Sequence, residues 1–176
     1  MSLVSKKDNY HNLRLEVDET ECVVVGNPKT VDFEAVRTSL LPGLLKTLKE
    51  NTDQIIPQKI FEISDCVILD GETDTGARNV RKISALSLDH ASNFEVIHGL
   101  LDMMMLKCGV DMEKGKNYRL VADEENRRFF PQNGASVMLN NKKIGMVGVL
   151  HPEVLGNFDL KYPVSCFEIE FDAVFD

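Results

Sequence analysis

Two stretches with strand chemistry, residues 58–69 (QKIFEISDCVIL) and 80–88 (VRKISALSL), flank the Gly-, Asp- and Thr-rich run 70–79 (DGETDTGARN). Nothing else in the chain limits the fold as much. Side chains alternate across a strand, so Phe61, Ile63, Val67 and Leu69 share one face. The economical arrangement is a long antiparallel hairpin with the polar run as its loop. The last apolar segment, 166–172, has the same period: Phe167, Ile169 and Phe171 alternate with Glu168, Glu170 and Asp172. Strict alternation predicts one buried face and one solvated face.

The remaining segments fit around that frame. Residues 1–19 read as an irregular N-terminal segment, with Met1-Ser2-Leu3 as a candidate cloning remnant, and 20–176 as the folded module. Residues 21–26 (ECVVVG) are β-branched and predict a strand, which Asn27-Pro28 ends. A short helical stretch is expected over 33–40. A second helix starts near Pro42, with Leu44, Leu45 and Leu48 on one face and Lys46 and Lys49 turned outward. The clearest helix is 93–108, with Asn93 as cap, Gly109 as stop, and a stripe of Phe94, Ile97, Leu101, Met104 and Cys108. A polar loop covers 110–116. Strands follow at 117–123, 135–140 and 143–150, the last two joined at Asn140-Asn141-Lys142, and a short helix over 152–158 begins at Pro152. The pattern is α+β: about six strands in an antiparallel sheet, mostly hairpin-connected, with two or three helices packed on one side.

Charge and cysteine spacing exclude several classes of function. The 28 acids outnumber the 20 bases, for a net charge of −8. A surface built mainly to grip nucleic acid leans the other way. The longest apolar runs, such as Cys22-Val23-Val24-Val25 and Met103-Met104-Met105-Leu106, are far short of the roughly 20 residues of a membrane span, and no secretory leader is expected. The closest cysteines among Cys22, Cys66, Cys108 and Cys166 stand 42 residues apart. No zinc knuckle is encoded, and free buried thiols of a reducing cytosol are expected.

Candidate chemistry is thin. His98 on the 93–108 helix meets Asp102 at i+4, a spacing more typical of a surface contact than of a general base and its partner. His151 precedes Pro152 and reads as a turn-holding residue. Glu62 and Asp65 point to opposite faces of one strand. Glu168 and Glu170 share a face and are candidate Mg²⁺ ligands, although a solvated strand face explains them as well. Arg37 is a lone cation near a helix, and Arg78, Arg81 and Lys82 cluster at the hairpin as a candidate anion grip or a solvated tip. Gly145-Met146-Val147-Gly148 lacks the spacing of a phosphate loop, and no GxSxG or HExxH occurs. No catalytic, cofactor-binding or metal-binding residues are assigned.

Several phrases, in order, carry a resemblance. These are Asn27-Pro28-Lys29-Thr30, the run from Arg37 to Leu45 (RTSLLPGLL), Lys59 to Asp65 (KIFEISD), Phe94 to Asp102 (FEVIHGLLD), Phe129-Phe130-Pro131, Gly145 to Leu155 (GMVGVLHPEVL) and Phe167-Glu168-Ile169. Together they resemble the C-terminal part of the β subunit of eukaryotic and archaeal phenylalanyl-tRNA synthetases, from about residue 20 to the end. The resemblance implies a class II synthetase-like, catalytically silent module. It also implies a cytoplasmic heterotetramer in which a catalytic α subunit joins phenylalanine to tRNA with ATP and Mg²⁺, the tRNA being bound by the whole complex.

The resemblance also supplies a test of silence. A working class II site aims arginines at the ATP phosphates. Here the first strand of the hairpin reads Phe61-Glu62-Ile63, and the last strand offers Glu168, Glu170 and Asp172 with neither glycine nor arginine. Like charges about 5 Å apart repel by roughly 1 kcal/mol, so an acidic, crowded cleft hostile to a triphosphate is expected. The alternatives are a stand-alone class II paralogue that binds an amino acid or nucleotide, and an unrelated α+β interaction module.

Overall fold

The computed structural model describes residues 2–16, 22–110 and 118–175. Its strands are β1 (Leu3–Val4), β2 (Ala35–Val36), β3 (Gln58–Leu69), β4 (Ala77–Leu88), β5 (Tyr118–Ala122), β6 (Phe129–Leu139), β7 (Lys142–Leu150) and β8 (Val164–Glu170). Its helices are α1 (Lys6–Asn9), α2 (Leu41–Glu50), α3 (Phe94–Lys107) and α4 (Pro152–Asn157), with short 3-10 turns at His11–Leu13, Val31–Phe33 and Asp172–Val174. The architecture is α+β, and every neighbouring pair in the six-stranded sheet, ordered β3-β4-β8-β7-β6-β5, is antiparallel.

Local chemistry explains the hairpins. β3 and β4 pair over their whole length, from Gln58 with Leu88 to Leu69 with Ala77. The strand expected to start at residue 80 begins at Ala77, because pairing extends to the tip. Asn140 and Asn141 join β6 to β7 with φ of 50° and 66°, the left-handed pair that a tight two-residue turn requires and asparagine tolerates. β6 begins at Phe129, earlier than expected. There the Phe129 ring lies over Gly134 and Gly148, which face each other across β6 and β7. A Cβ on Gly134 would lie 2.7 Å from that ring, so glycine at this cross-strand pair makes room for the aromatic.

The helices lie on both faces of the sheet, not on one side as expected. α2, α4 and Leu13 pack with Cys66, Leu86, Leu88, Val164 and Cys166 on one face. α3 packs with Ile83, Ala85, Val147, Phe167 and Ile169 on the other. β8 is therefore buried on both faces. In α2, Pro42 sits in the first turn, where its missing N–H costs nothing, and Leu41, Leu44, Leu45 and Leu48 are buried. In α3, Ile97, Leu101 and Met105 are buried, with Phe94, Met104 and Cys108 half-buried beside them. Asn93 occupies the cap position without capping through its side chain, which donates to Asp89 Oδ2 instead. Gly109, at φ 81°, ends the helix as expected. Among the described residues no helix is long and apolar enough to cross a membrane.

Residues 1–40 depart most from expectation. Residues 33–40 form no helix: a 3-10 turn precedes β2, which pairs with β1, Val4 opposite Ala35. Residues 21–26 contribute a single bridge, Val24 to Ala35, in place of a full strand, and residue 21 lies outside the described residues. The segment read as irregular carries β1, α1 and fully buried Leu13. Its residues 17–19 and most of the 110–116 loop lie outside the described residues. Pairing between distant segments overrides helix propensity here.

Asp8 fastens this N-terminal segment to the main body. It accepts hydrogen bonds from Ser5 Oγ (2.6 Å), Asn12 Nδ2 (2.8 Å) and Lys46 Nζ of α2 (2.6 Å). Burial alone would raise its pKa. The bonds from Lys46, Ser5 and Asn12 outweigh burial and hold it below the ordinary 3.8. A depressed folded pKa contributes stability above the unfolded value and loses it as pH falls through the folded one. Asp8→Asn is expected to cost about 1.5–3 kcal/mol at pH 7, the scale of hydrogen bonds to a charged group. Urea midpoints should show the gap to the unsubstituted chain closing as pH drops below 3.8.

Candidate functional site: a strapped cleft on the sheet

The face of β4, β7 and β8 opposite α3 carries Lys82, Ser84 and Glu168 among its apolar side chains. Two buried charges organise it. Glu168 in β8 is 4% exposed and accepts from Ser39 Oγ (2.9 Å) and Leu40 N (2.7 Å). Lys82 of β4 approaches it at 3.4 Å and donates to Thr38 O at 2.8 Å. Arg37 donates from Nε to Asp65 O (3.1 Å), from Nη1 to Glu62 Oε1 (2.8 Å) and from Nη2 to Ser64 Oγ (2.5 Å). Residues 37–40 thus form a strap across β3, β4 and β8, leading into α2.

The strap corrects two expectations. Arg37 is not a lone cation near a helix: it is buried and occupied by acceptors on β3. Glu168 does not stand on a solvated face, because the strap supplies donors that let β8 be covered. Nothing local announces either bond. Ser39 and Glu168 are separated by 129 residues, and alternation alone is the signature of a half-exposed strand.

The cleft is also not uniformly acidic. β8 ends at Glu170, and Asp172 opens a 3-10 turn instead of continuing the row. A cavity of about 300 Å³ remains, lined by Lys82, Arg128, Lys143, Met146, Glu168 and Glu170 among others. Cations and carboxylates both face it. Gly145 forms part of its wall because β7 presses against β8: a Cβ there would collide with Glu168 O and lie 2.6 Å from Ile169 Cα. Close strand packing accounts for this glycine without any phosphate loop.

The other sequence candidates are dispersed. His98 Nε2 lies 3.5 Å from Asp102 on the outer surface of α3. His151 Nδ1 accepts from Glu153 N at 3.1 Å and caps α4, a turn-holding part. Arg78 pairs with Asp70 and Arg81 with Asp65, while Lys82 faces Glu168, so the hairpin cations form no common grip. Glu62 joins Arg37, away from Asp65's partner Arg81. Among the described residues no three His, Cys, Asp or Glu side chains gather in a metal-holding group, and Glu168 with Glu170 gains no third ligand. The four cysteines are free, with Cys22, Cys66 and Cys166 buried. Burial pushes the Cys66 thiol up to about 12 and raises that of Cys166 as well, so neither is a nucleophile.

Antiparallel strands with helices on both faces form an arrangement found in a tRNA synthetase. The pyrrolysyl-tRNA synthetase PylSc of Desulfitobacterium hafniense superposes with a TM-score of 0.72 at 14% identity, covering 99% of this chain and 59% of that one. At that identity the likeness speaks for the fold alone. Sequence resolves the family: the profile of the phenylalanyl tRNA synthetase beta chain CLM domain matches residues 1–171, and the chain belongs to that family. The phenylalanine–tRNA ligase β subunit of Drosophila melanogaster is 43% identical over 174 residues, and that of Homo sapiens 40% over 168. The cytoplasmic β subunit of Arabidopsis thaliana is 42% identical over 183 residues. These alignments cover 96–98% of this chain but only 28–30% of each relative.

The strap has an energetic signature. Removing one member of a buried charge network costs about 3–5 kcal/mol. Glu168→Ala should approach that loss in urea denaturation. Glu170→Ala, on the same strand face but with no side-chain partner among the described residues, should stay within about 0.5 kcal/mol of the unsubstituted chain.

Proposed function

We propose that this chain is a non-catalytic, class II synthetase-like scaffold module of a phenylalanine–tRNA ligase β subunit. It supports the α subunit that carries the chemistry. The observation that carries the reading is the apolar face of edge strand β3. Phe61 is 70% exposed and Ile63 47%, with Leu69 exposed farther along the same face. On the same side of the sheet, α3 leaves Val96, Leu100 and Met103 exposed. Contiguous exposed apolar side chains mark a protein interface, and an edge strand adds unpaired backbone groups.

The strap supports the absence of chemistry. A phosphate-binding site needs cationic donors preorganised and available. Arg37 is committed to Glu62, Ser64 and Asp65 O, and Lys82 to Thr38 O and Glu168. ATP, Mg²⁺ and phenylalanine are accordingly assigned to the α subunit, and tRNA to the whole complex. A cytoplasmic location accords with the name of the Arabidopsis relative.

Two measurements test this. The 176-residue chain alone should give no phenylalanine-dependent ATP–pyrophosphate exchange, and clear exchange would overturn the non-catalytic reading. In the full β subunit, the double substitution Phe61→Glu with Ile63→Glu should reduce co-purification of the α subunit at least about tenfold, the scale of one interface anchor. Both positions are solvent-exposed, so the fold should survive with an unchanged circular dichroism spectrum. Undiminished pairing would overturn the assignment of this face.

A further inference from the structure

Arg128 is a cleft cation that neither the strap nor, among the described residues, any carboxylate hydrogen-bonds. Its backbone is fixed just before β6, where its carbonyl accepts from His151 N at 2.8 Å. Its Nε is shut off from solvent and has no hydrogen-bond partner. Among the described residues its Nη1 donates only to the thioether of Met146, at 3.2 Å, and Asn126 Nδ2 reaches the same sulfur at 3.5 Å. A thioether is a weak acceptor, and a guanidinium keeps its proton. Desolvation lowers the Arg128 pKa, an effect that the nearby Glu168 carboxylate opposes. Glu168, however, accepts its bonds from Ser39, Leu40 and Lys82. Arg128 is half-buried, but a desolvated donor without a strong acceptor is costly and calls for an explanation.

The acceptor that would complete this environment can be described from the cavity. Its volume of about 300 Å³ lies at the lower end for small-molecule sites. Lys82 and Lys143 also line it, each engaged elsewhere: Lys82 by Thr38 O and Glu168, Lys143 by Asp123 Oδ2 at 2.9 Å. They contribute positive potential, while Arg128 contributes a guanidinium whose planar fork matches two oxygens and whose bonded acceptor is only a thioether. Glu168 and Glu170 in the same wall set the upper limit on ligand charge. They repel a multiply charged phosphate more than a single negative charge.

We propose that Arg128, with the cavity between it, Lys82, Lys143 and Glu170, is a binding site for a small monocarboxylate. The ligand's two oxygens accept from the Arg128 guanidinium, and its remainder rests against Met146 and Ile144. The site draws on none of the exposed β3 side chains.

The test is an NMR titration of the 176-residue chain, following the Arg128 Nε–H resonance with acetate and, separately, inorganic phosphate. Acetate should move the signal saturably, with half-saturation at least about tenfold below that of phosphate. Arg128→Gln should abolish saturable acetate binding at all reporter signals. Glu170→Gln, which removes a repelling charge at a side chain with no bonded partner among the described residues, should lower the acetate half-saturation several-fold. A linear, non-saturating drift would overturn the proposal. So would tighter binding of phosphate, or saturable binding that persists in Arg128→Gln. Should Arg128→Gln fail to fold, Glu170→Gln decides: an unchanged half-saturation sinks the site.

Discussion

The strap from Arg37 to Leu40 is the constraint on which the rest of the structure depends. A carboxylate in the middle of a sheet costs several kcal/mol to bury unless donors reach it. Glu168 has two from the strap, a hydroxyl and a backbone N–H, and a third, longer one from Lys82. With that charge satisfied, β8 can be covered on both faces, and the sheet can carry α2 on one side and α3 on the other. The strap also fixes where α2 begins, because Leu40 N, next to the helix start, is one of the donors.

The same network decides what the cleft can do. Buried ion pairs contribute little net stability compared with apolar packing; they favour one arrangement over others. Here they also take up donors that a nucleotide would require. An incoming phosphate would have to displace acceptors already held between 2.5 and 3.1 Å from Arg37. It would then leave Glu62 without its charge partner. A cleft can therefore retain the outline of a synthetase sheet while its cations serve the fold. The proposal of silence rests on engaged cations, where the sequence had offered only an acidic cleft. Charges are present in both signs, and most are consumed internally.

Legibility in the sequence followed the range of the forces involved. The β3–β4 and β6–β7 hairpins, α2 and α3 were readable because each is set by side-chain period and by local punctuation such as Pro42, Asn140-Asn141 and Gly109. The apolar parity of Phe61, Ile63 and Leu69 was readable too, but not its exposure, because parity does not say which face a helix covers. Residues 33–40 misled for the opposite reason. Their composition permits a helix, and pairing of Ala35–Val36 with Leu3–Val4 overrides it. Glu168 and Arg37 were the deepest misses. Their meaning lies in partners 25 to 129 residues away, which no local window contains.

Arg128 shows the limit of treating the cleft as closed by its own salt bridges. Arg37 and Arg128 are both shielded guanidiniums, yet one meets a carboxylate, a hydroxyl and a carbonyl while the other meets a sulfur. Were both merely structural, the cheaper solution at position 128 would be an apolar side chain, since replacing a poorly paired buried charge by a hydrophobe of similar size is often neutral or stabilising. Arg128 sits instead where the remaining cavity opens, with donors in excess of acceptors and a backbone pinned by His151 N. Among the described residues, a fold that pairs Arg37 and Glu168 so thoroughly leaves the guanidinium of Arg128 poorly matched in the cleft, and with it an unused binding capacity. That imbalance, more than the shape of the sheet, separates a ligand-holding scaffold from an inert one.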